Sequence, residues 1–166
     1  MTFADRLVAA WYAPRLEALS AALVPLAAIY AGAVAARRSL YRLGVLRVAR
    51  VRAPVVVVGN LTAGGSGKTP LAIAVAEALA SRGRRPGFVS RGYGRRGASP
   101  RLVAPGDDAD DVGDEPLLLA ATGRPVAVGR RRAEAARLLL DSDPSCDVVV
   151  ADDGLQHYAL ARDVEI

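Results

Sequence analysis

Residues Val55–Ala80 read VVVVGNLTAGGSGKTPLAIAVAEALA. Four successive valines suit a strand buried on both faces. The glycines that follow suit a tight loop. Beyond them Leu71, Ala72, Val75, Ala76 and Leu79 recur as one helical stripe. Pro70 is tolerated because it falls in the first turn, and Gly83 stops the helix. Within this stretch lies Lys68, the only lysine; arginine supplies the other 21 of the 22 basic side chains.

The segment Thr62–Thr69, TAGGSGKT, fits the end of the phosphate-loop pattern G-x-x-x-x-G-K-[ST], with Thr62 in place of the first glycine. Thr62, Ala63, Gly64, Gly65, Ser66 and Gly67 are expected to turn backbone N–H groups onto phosphate oxygens. The helix N-terminus adds its partial positive charge. Lys68 would reach the β- and γ-phosphates, and Thr69 would bind magnesium through its hydroxyl. A plain glycine turn is the alternative; Gly-Lys-Thr between a strand and a helix favours nucleotide.

A second motif is DVVVADDGLQH, Asp147–His157. An apolar strand ending in acid places a carboxylate beside the phosphates, where it holds magnesium directly or through water. Asp152 and Asp153 are both candidates. A third is VGDEP, Val112–Pro116, where Asp114 and Glu115 are either helix-start residues favoured by the dipole or site carboxylates. His157, the only histidine, reads by itself as a polar residue of the turn.

Chain length and alternating elements predict one α/β domain. Further strands are expected at Pro86–Ser90 and Pro125–Gly129, and Cys146–Gly154 reads as a strand running into a polar turn. Helices are expected over Asp114–Gly123 and Arg131–Leu140. Arg91–Pro100 reads as a loop and Asp107–Asp111 as a solvated turn. The resulting architecture is a P-loop NTPase-type parallel sheet flanked by helices. Val164 and Ile166 look like the start of another strand, as in a piece of a longer protein or a truncated reading frame.

The net charge of +5 comes with an arginine-for-lysine bias that suggests GC-rich coding. No zinc-finger or aromatic-basic pattern accompanies it, so no nucleic-acid partner is expected. The single Cys146 excludes an intramolecular disulfide or a multi-cysteine metal site. No obligate protein partner is evident.

Residues 1–52 differ in kind from residues 53–166. Leu19–Ala36 carries no charge, and Arg37, Arg38, Arg42, Arg47, Arg50 and Arg52 follow it. A cleaved leader has its positive charges before the apolar run. Three readings stand: a membrane-inserted helix with a cytoplasmic basic flank, an interfacial helix with Trp11, Tyr12, Tyr30 and Tyr41 near the headgroups, or an alanine-rich helix packed on the domain. Membrane association in either form is the expectation.

The phrases VVGNLTAGGSGKTP, SRGYG, GDEP and DDGLQH followed by RD resemble, in order and wording, the tetraacyldisaccharide 4′-kinases. That family has Thr or Ser where Thr62 stands. The resemblance implies an ATP- and Mg²⁺-dependent kinase on the cytoplasmic face of the inner membrane. Its acceptor is a tetraacylated glucosamine disaccharide 1-phosphate. It implies Lys68 and Asp114 as catalytic, Asp114 being the base on the sugar hydroxyl. Asp152 and Asp153 would organise magnesium with Thr69. Arg91, Tyr93, Gln156 and His157 would lie around substrate and phosphates, and Arg132 loosely matches a family arginine near the phosphates, with Arg130 and Arg131 adjoining it. Members are longer, and their remainder is implied to supply a histidine that assists the base. The rivals are another membrane-associated P-loop ATPase, against which Ala63 counts, and an inactive nucleotide-binding fragment.

Overall fold

The computed structural model describes residues 18–59 and 67–166. These fall into two compact units, one reaching to Leu46 and one spanning Arg47–Ile166. The expectations for Thr62, Ala63, Gly64, Gly65, Ser66, Trp11 and Tyr12 concern residues outside those described.

The first unit is helix α1, Ala18–Arg42. It contains the one described segment long and apolar enough to cross a membrane, Leu23–Arg42. Its end is closed by two hydrogen bonds, Val45 N to Leu40 O (3.0 Å) and Gly44 N to Tyr41 O (3.1 Å). Together they form the Schellman pattern that satisfies the last carbonyls. The Arg37 guanidinium lies 5.8 Å above the Tyr41 ring.

The second unit opens with β1 (Val55–Val58), α2 (Lys68–Ala80) and β2 (Pro86–Ser90). Then come β3 (Arg101–Leu102), α3 (Ala109–Val112), α4 (Asp114–Ala120) and β4 (Val126–Val128). It closes with α5 (Arg132–Ser142), β5 (Val148–Asp152) and β6 (Val164–Glu165). The strands form one sheet in the order β3-β4-β2-β5-β1-β6. All neighbours are parallel except β3, which runs antiparallel to β4. The expected parallel sheet is therefore a mixed one with a short antiparallel edge.

Strand alternation sorts the core into two layers. Val55, Val57, Val89, Ala127, Val149 and Ala151 face α5, where Ala135, Ala136, Leu139 and Leu140 cover them. Val58, Phe88, Val126 and Val150 face the other way, under Ala72 and Ala76 of α2 and Leu119 of α4. Both faces are covered, which is why β1 reads as an unbroken apolar run.

Two local expectations need correction. Leu71 is exposed rather than part of the buried stripe, and Ile73 packs on the core instead. Asp107–Asp111 is more than a turn: Asp108 caps α3 by accepting from Asp111 N at 3.0 Å. Arg52 bonds to the carbonyls of Leu140 and Pro144. It thus caps the end of α5.

Candidate active site

The carboxyl ends of β1, β2, β4 and β5 lie along one edge of the sheet, the side on which α/β folds place ligands. At this edge α2 begins. Gly67 precedes it with φ +73, a left-handed turn that a side chain would resist. Lys68 and Thr69 are the first two residues of the helix. Thr69 is buried, and its Oγ1 donates to Asp152 Oδ2 at 3.1 Å. Lys68 Nζ stands 3.6 Å from Asp153 Oδ1. Asp153 has φ +51, unique among the described non-glycine residues.

Asp152 is fully buried at the tip of β5. Burial pushes its carboxyl above the usual range. Thr69 opposes that shift, while the negative charges of Glu115 and Asp153 add to it. Its second oxygen, Oδ1, has no protein partner. With no cation beside it, the neutral acid is the favoured form.

Arg132, first residue of α5, supplies the opposite charge. It is only 3% exposed; Nη1 donates to Gly129 O at 2.7 Å, while Nε and Nη2 have no protein partner. Burial lowers its pKa to about 10. Asp153, Asp152 and Glu115 counter that shift and Arg91 reinforces it. Its neighbours differ: Arg131 is exposed and pairs with Glu134 at 2.9 Å. Geometry thus separates three adjacent arginines that spacing could not.

Two loops meet beside this cluster. Gly113 has φ +94, and a Cβ there would lie 2.8 Å from Tyr93 O and 3.1 Å from Gly92 Cα. The SRGYG and GDEP loops therefore touch backbone to backbone. Asp114 and Glu115 follow at the start of α4, both exposed. The SRGYG loop borders a cavity of about 330 Å³ lined by Arg91, Gly92, Tyr93, Gly94, Arg95 and Arg130. Arg95 is 8% exposed and donates to Ser99 O at 2.7 Å. Burial lowers its pKa, as do Arg101 and Arg130. Sequence reading gave Arg95 and Arg130 no site role; the signals were the arginine density of Arg91–Arg96 and the run Arg130–Arg132.

Gln156 is exposed and His157 half-buried in the turn after Asp153. The turn is held by His157 N donating to Gly154 O (3.0 Å) and Arg162 Nη1 donating to Leu155 O (3.0 Å). Asp163 Oδ2 accepts from Val55 N at 2.8 Å. The Arg-Asp pair after DDGLQH thus anchors the turn and the start of β1. The structure brings Lys68, Thr69, Asp152, Asp153 and Arg132 together, with Asp114 on the adjoining loop.

A helix starting Gly-Lys-Thr, set over an acid-tipped strand in a sheet covered on both faces, defines the P-loop NTPase class. Residues 19–166 match the family model described as Tetraacyldisaccharide-1-P 4'-kinase, and the chain belongs to that family. It is 54% identical over 164 residues to the tetraacyldisaccharide 4'-kinase of an Acidovorax species, covering 98% of this chain and 48% of that protein. It is 58% identical over 147 residues to the enzyme of that name from Alkalilimnicola ehrlichii, covering 87% and 44%. The structure of LpxK from Aquifex aeolicus in complex with ATP superposes with a TM-score of 0.80 at 32% identity, over 89% of this chain and 48% of that one. The chain therefore spans about half the length of these relatives.

Proposed function

We propose that this chain is the ATP-binding half of a kinase that phosphorylates the 4′-hydroxyl of a tetraacylated glucosamine disaccharide 1-phosphate in lipid A biosynthesis. One observation carries the reading. Of the five buried side-chain polar atoms without a partner among the described residues, four belong to Ser90, Arg132 and Asp152 at the carboxyl edge. Buried donors and a buried carboxylate oxygen left open at one edge of the sheet suit a phosphate together with a cation.

The phosphate loop, Thr62–Thr69, would cradle the ATP phosphates, with Lys68 on the β- and γ-groups. Magnesium fits the oxygen donors at Thr69 and Asp152, with Asp153 beside them. Among the described residues no three His, Cys, Asp or Glu side chains form a metal cage of their own. Magnesium commonly takes one or two carboxylates and completes its shell with phosphate and water. Bound there, it would neutralise charge developing on the transferred group.

Arg132 would point Nε and Nη2 at phosphate oxygens. Asp114, exposed on the loop beside the cluster, would take the proton of the sugar hydroxyl. Arg91 and Tyr93, with Arg95 and Arg130, line a cavity whose charge suits an anionic part of the acceptor. Gln156 and His157 would border the phosphates from the adjoining turn. The acceptor's acyl chains keep it in the bilayer. Helix α1, followed by its arginines, would bring the kinase to the cytoplasmic face of the inner membrane.

The test is transfer of radiolabelled phosphate from ATP to the tetraacyldisaccharide 1-phosphate. It is run with the chain alone and with the chain completed by the second half of a relative. Label on the lipid that disappears in Asp114→Asn, with ATP binding intact, supports the reading. ATP hydrolysis indifferent to the lipid in the completed protein overturns it in favour of a membrane-associated ATPase.

A further inference from the structure

On the α2 face of the sheet, the last row of side chains runs across four strands. Val128 of β4 pairs with Ser90 of β2, and Val58 of β1 pairs with Asp152 of β5. Phe88 pairs with Val150 and Val89 with Ala151, so Ser90 and Asp152 are the next residues along neighbouring strands. Phe88 and Val150 share the α2-facing layer. Two residues further on, Ser90 and Asp152 return to that face. Their backbones are about 4.8 Å apart. The row thus reads Val128, Ser90, Asp152, Val58: two apolar ends and a polar centre.

Both polar members are sealed in, Ser90 at 1% exposure and Asp152 at 0%. Both have an oxygen with no protein partner, Ser90 Oγ and Asp152 Oδ1. Thr69 is committed to the other carboxylate oxygen. The Arg132 donors reach neither atom, since Nε and Nη2 are themselves without partners. A buried hydroxyl left unpaired costs stability that an alanine would not, and an alanine would pack as well in this row.

We propose that Ser90 is a positioning residue for a hydrated divalent cation: its Oγ and Asp152 Oδ1 together accept the two hydrogens of one metal-bound water. This rests on the nucleotide-binding reading above and adds a residue to it. The chemistry selects the ligand. Two neighbouring acceptors require one donor with two protons. A metal-bound water presents both hydrogens outward, because its lone pair is engaged by the cation. Magnesium gives up its waters reluctantly, so outer contacts of this kind hold it where a bare-ion cage would not. Partners acting through a bound group are typically worth about 10- to 100-fold in metal affinity.

The experiment titrates Mg²⁺ into the detergent-solubilised chain with a fluorescent ATP analogue. Thermal unfolding without ligand is followed in parallel. Ser90→Ala is expected to raise the magnesium midpoint about tenfold or more. Its metal-free nucleotide affinity should equal wild type, and its ligand-free melting temperature should be equal or higher. Ser90→Thr, which keeps the hydroxyl, should retain the wild-type midpoint. Ser90→Cys, which keeps the volume with a weaker acceptor, should shift it as alanine does.

A purely structural serine would instead lower the melting temperature and both affinities together, and that result overturns the proposal. So does a Ser90→Ala chain with the wild-type magnesium midpoint while wild type responds to magnesium. A wild-type chain that binds no nucleotide overturns the underlying reading, and the proposal with it.

Discussion

Thr69 Oγ1 and Asp152 Oδ2 are joined by a 3.1 Å hydrogen bond that ties the first turn of α2 to the tip of β5. The bond crosses from the helix that begins the phosphate site to the strand that supplies its carboxylate. Without ligand it holds a buried acid that would rather be neutral.

Asp152→Asn should separate stability from binding. Burial holds the folded carboxyl above its ordinary value. Its stabilising contribution is therefore complete below the unfolded pKa of about 3.9, and is lost as pH rises through the higher folded value. The variant cannot titrate. Its ligand-free melting temperature should exceed that of wild type at neutral pH, and the gap should close on acidification. The magnesium-dependent gain in nucleotide affinity should fall by about 10- to 100-fold. Paired melting curves across pH and a magnesium titration check both halves.

Lys68→Arg should weaken ATP binding by about tenfold or more, roughly 1.4 kcal/mol, although charge is kept. A planar guanidinium is broader than an ammonium and does not thread a glycine loop as well. The reverse change at an exposed position, Arg137→Lys, should leave binding unchanged. Calorimetry with ATP decides; equal affinities for Lys68→Arg and wild type would falsify the role of Lys68 on the phosphates.

Arg132→Met should lose phosphate recognition while sparing the fold. The guanidinium is buried with one protein hydrogen bond, so a long apolar side chain can replace it with little or no loss of stability. Affinity for ATP should drop by about 1.5–3 kcal/mol, the worth of charged hydrogen bonds. Adenosine affinity should not change. Arg131→Ala should leave both ligands as in wild type, because Arg131 reaches only Glu134.

Gly113→Ala should displace Asp114, the proposed base, without touching ATP. At φ +94 an added Cβ is strained and meets Tyr93 O at 2.8 Å. The cost should exceed about 1 kcal/mol, visible as a lower melting temperature. In the completed protein, transfer to the lipid should slow while the ATP dissociation constant holds, since Asp114 is the neighbouring residue.

Much of the α/β frame was legible because its signals are local. Four valines, Gly-Lys-Thr and an acid after VVVA each announce an element within a few residues. The short edge strand at Arg101–Leu102 was not, because two residues carry no period; its existence depends on pairing with β4. Leu71 was misplaced because a helical stripe fixes spacing but not which side faces the sheet. Within the site, Lys68, Thr69, Asp152 and Asp153 announced themselves by motif. Arg132 was blurred by Arg130 and Arg131, and only burial distinguishes it. Ser90 carried no signal at all, since its interest lies in what stands beside it on another strand.

The neighbours of β1 also set an order of events during synthesis. It pairs with β5 and β6, both made long after it, and Val55 N is bonded to Asp163, 108 residues further along. The strand that leads into the phosphate loop therefore cannot be completed until the end of this segment has left the ribosome. Helix α1 emerges before these strands, and its last turn is closed by hydrogen bonds within residues 39–46. Non-local pairings close slowly. The apolar helix is thus closed on itself while the nucleotide fold is still open, so the first unit can form before the phosphate-site edge of the sheet exists.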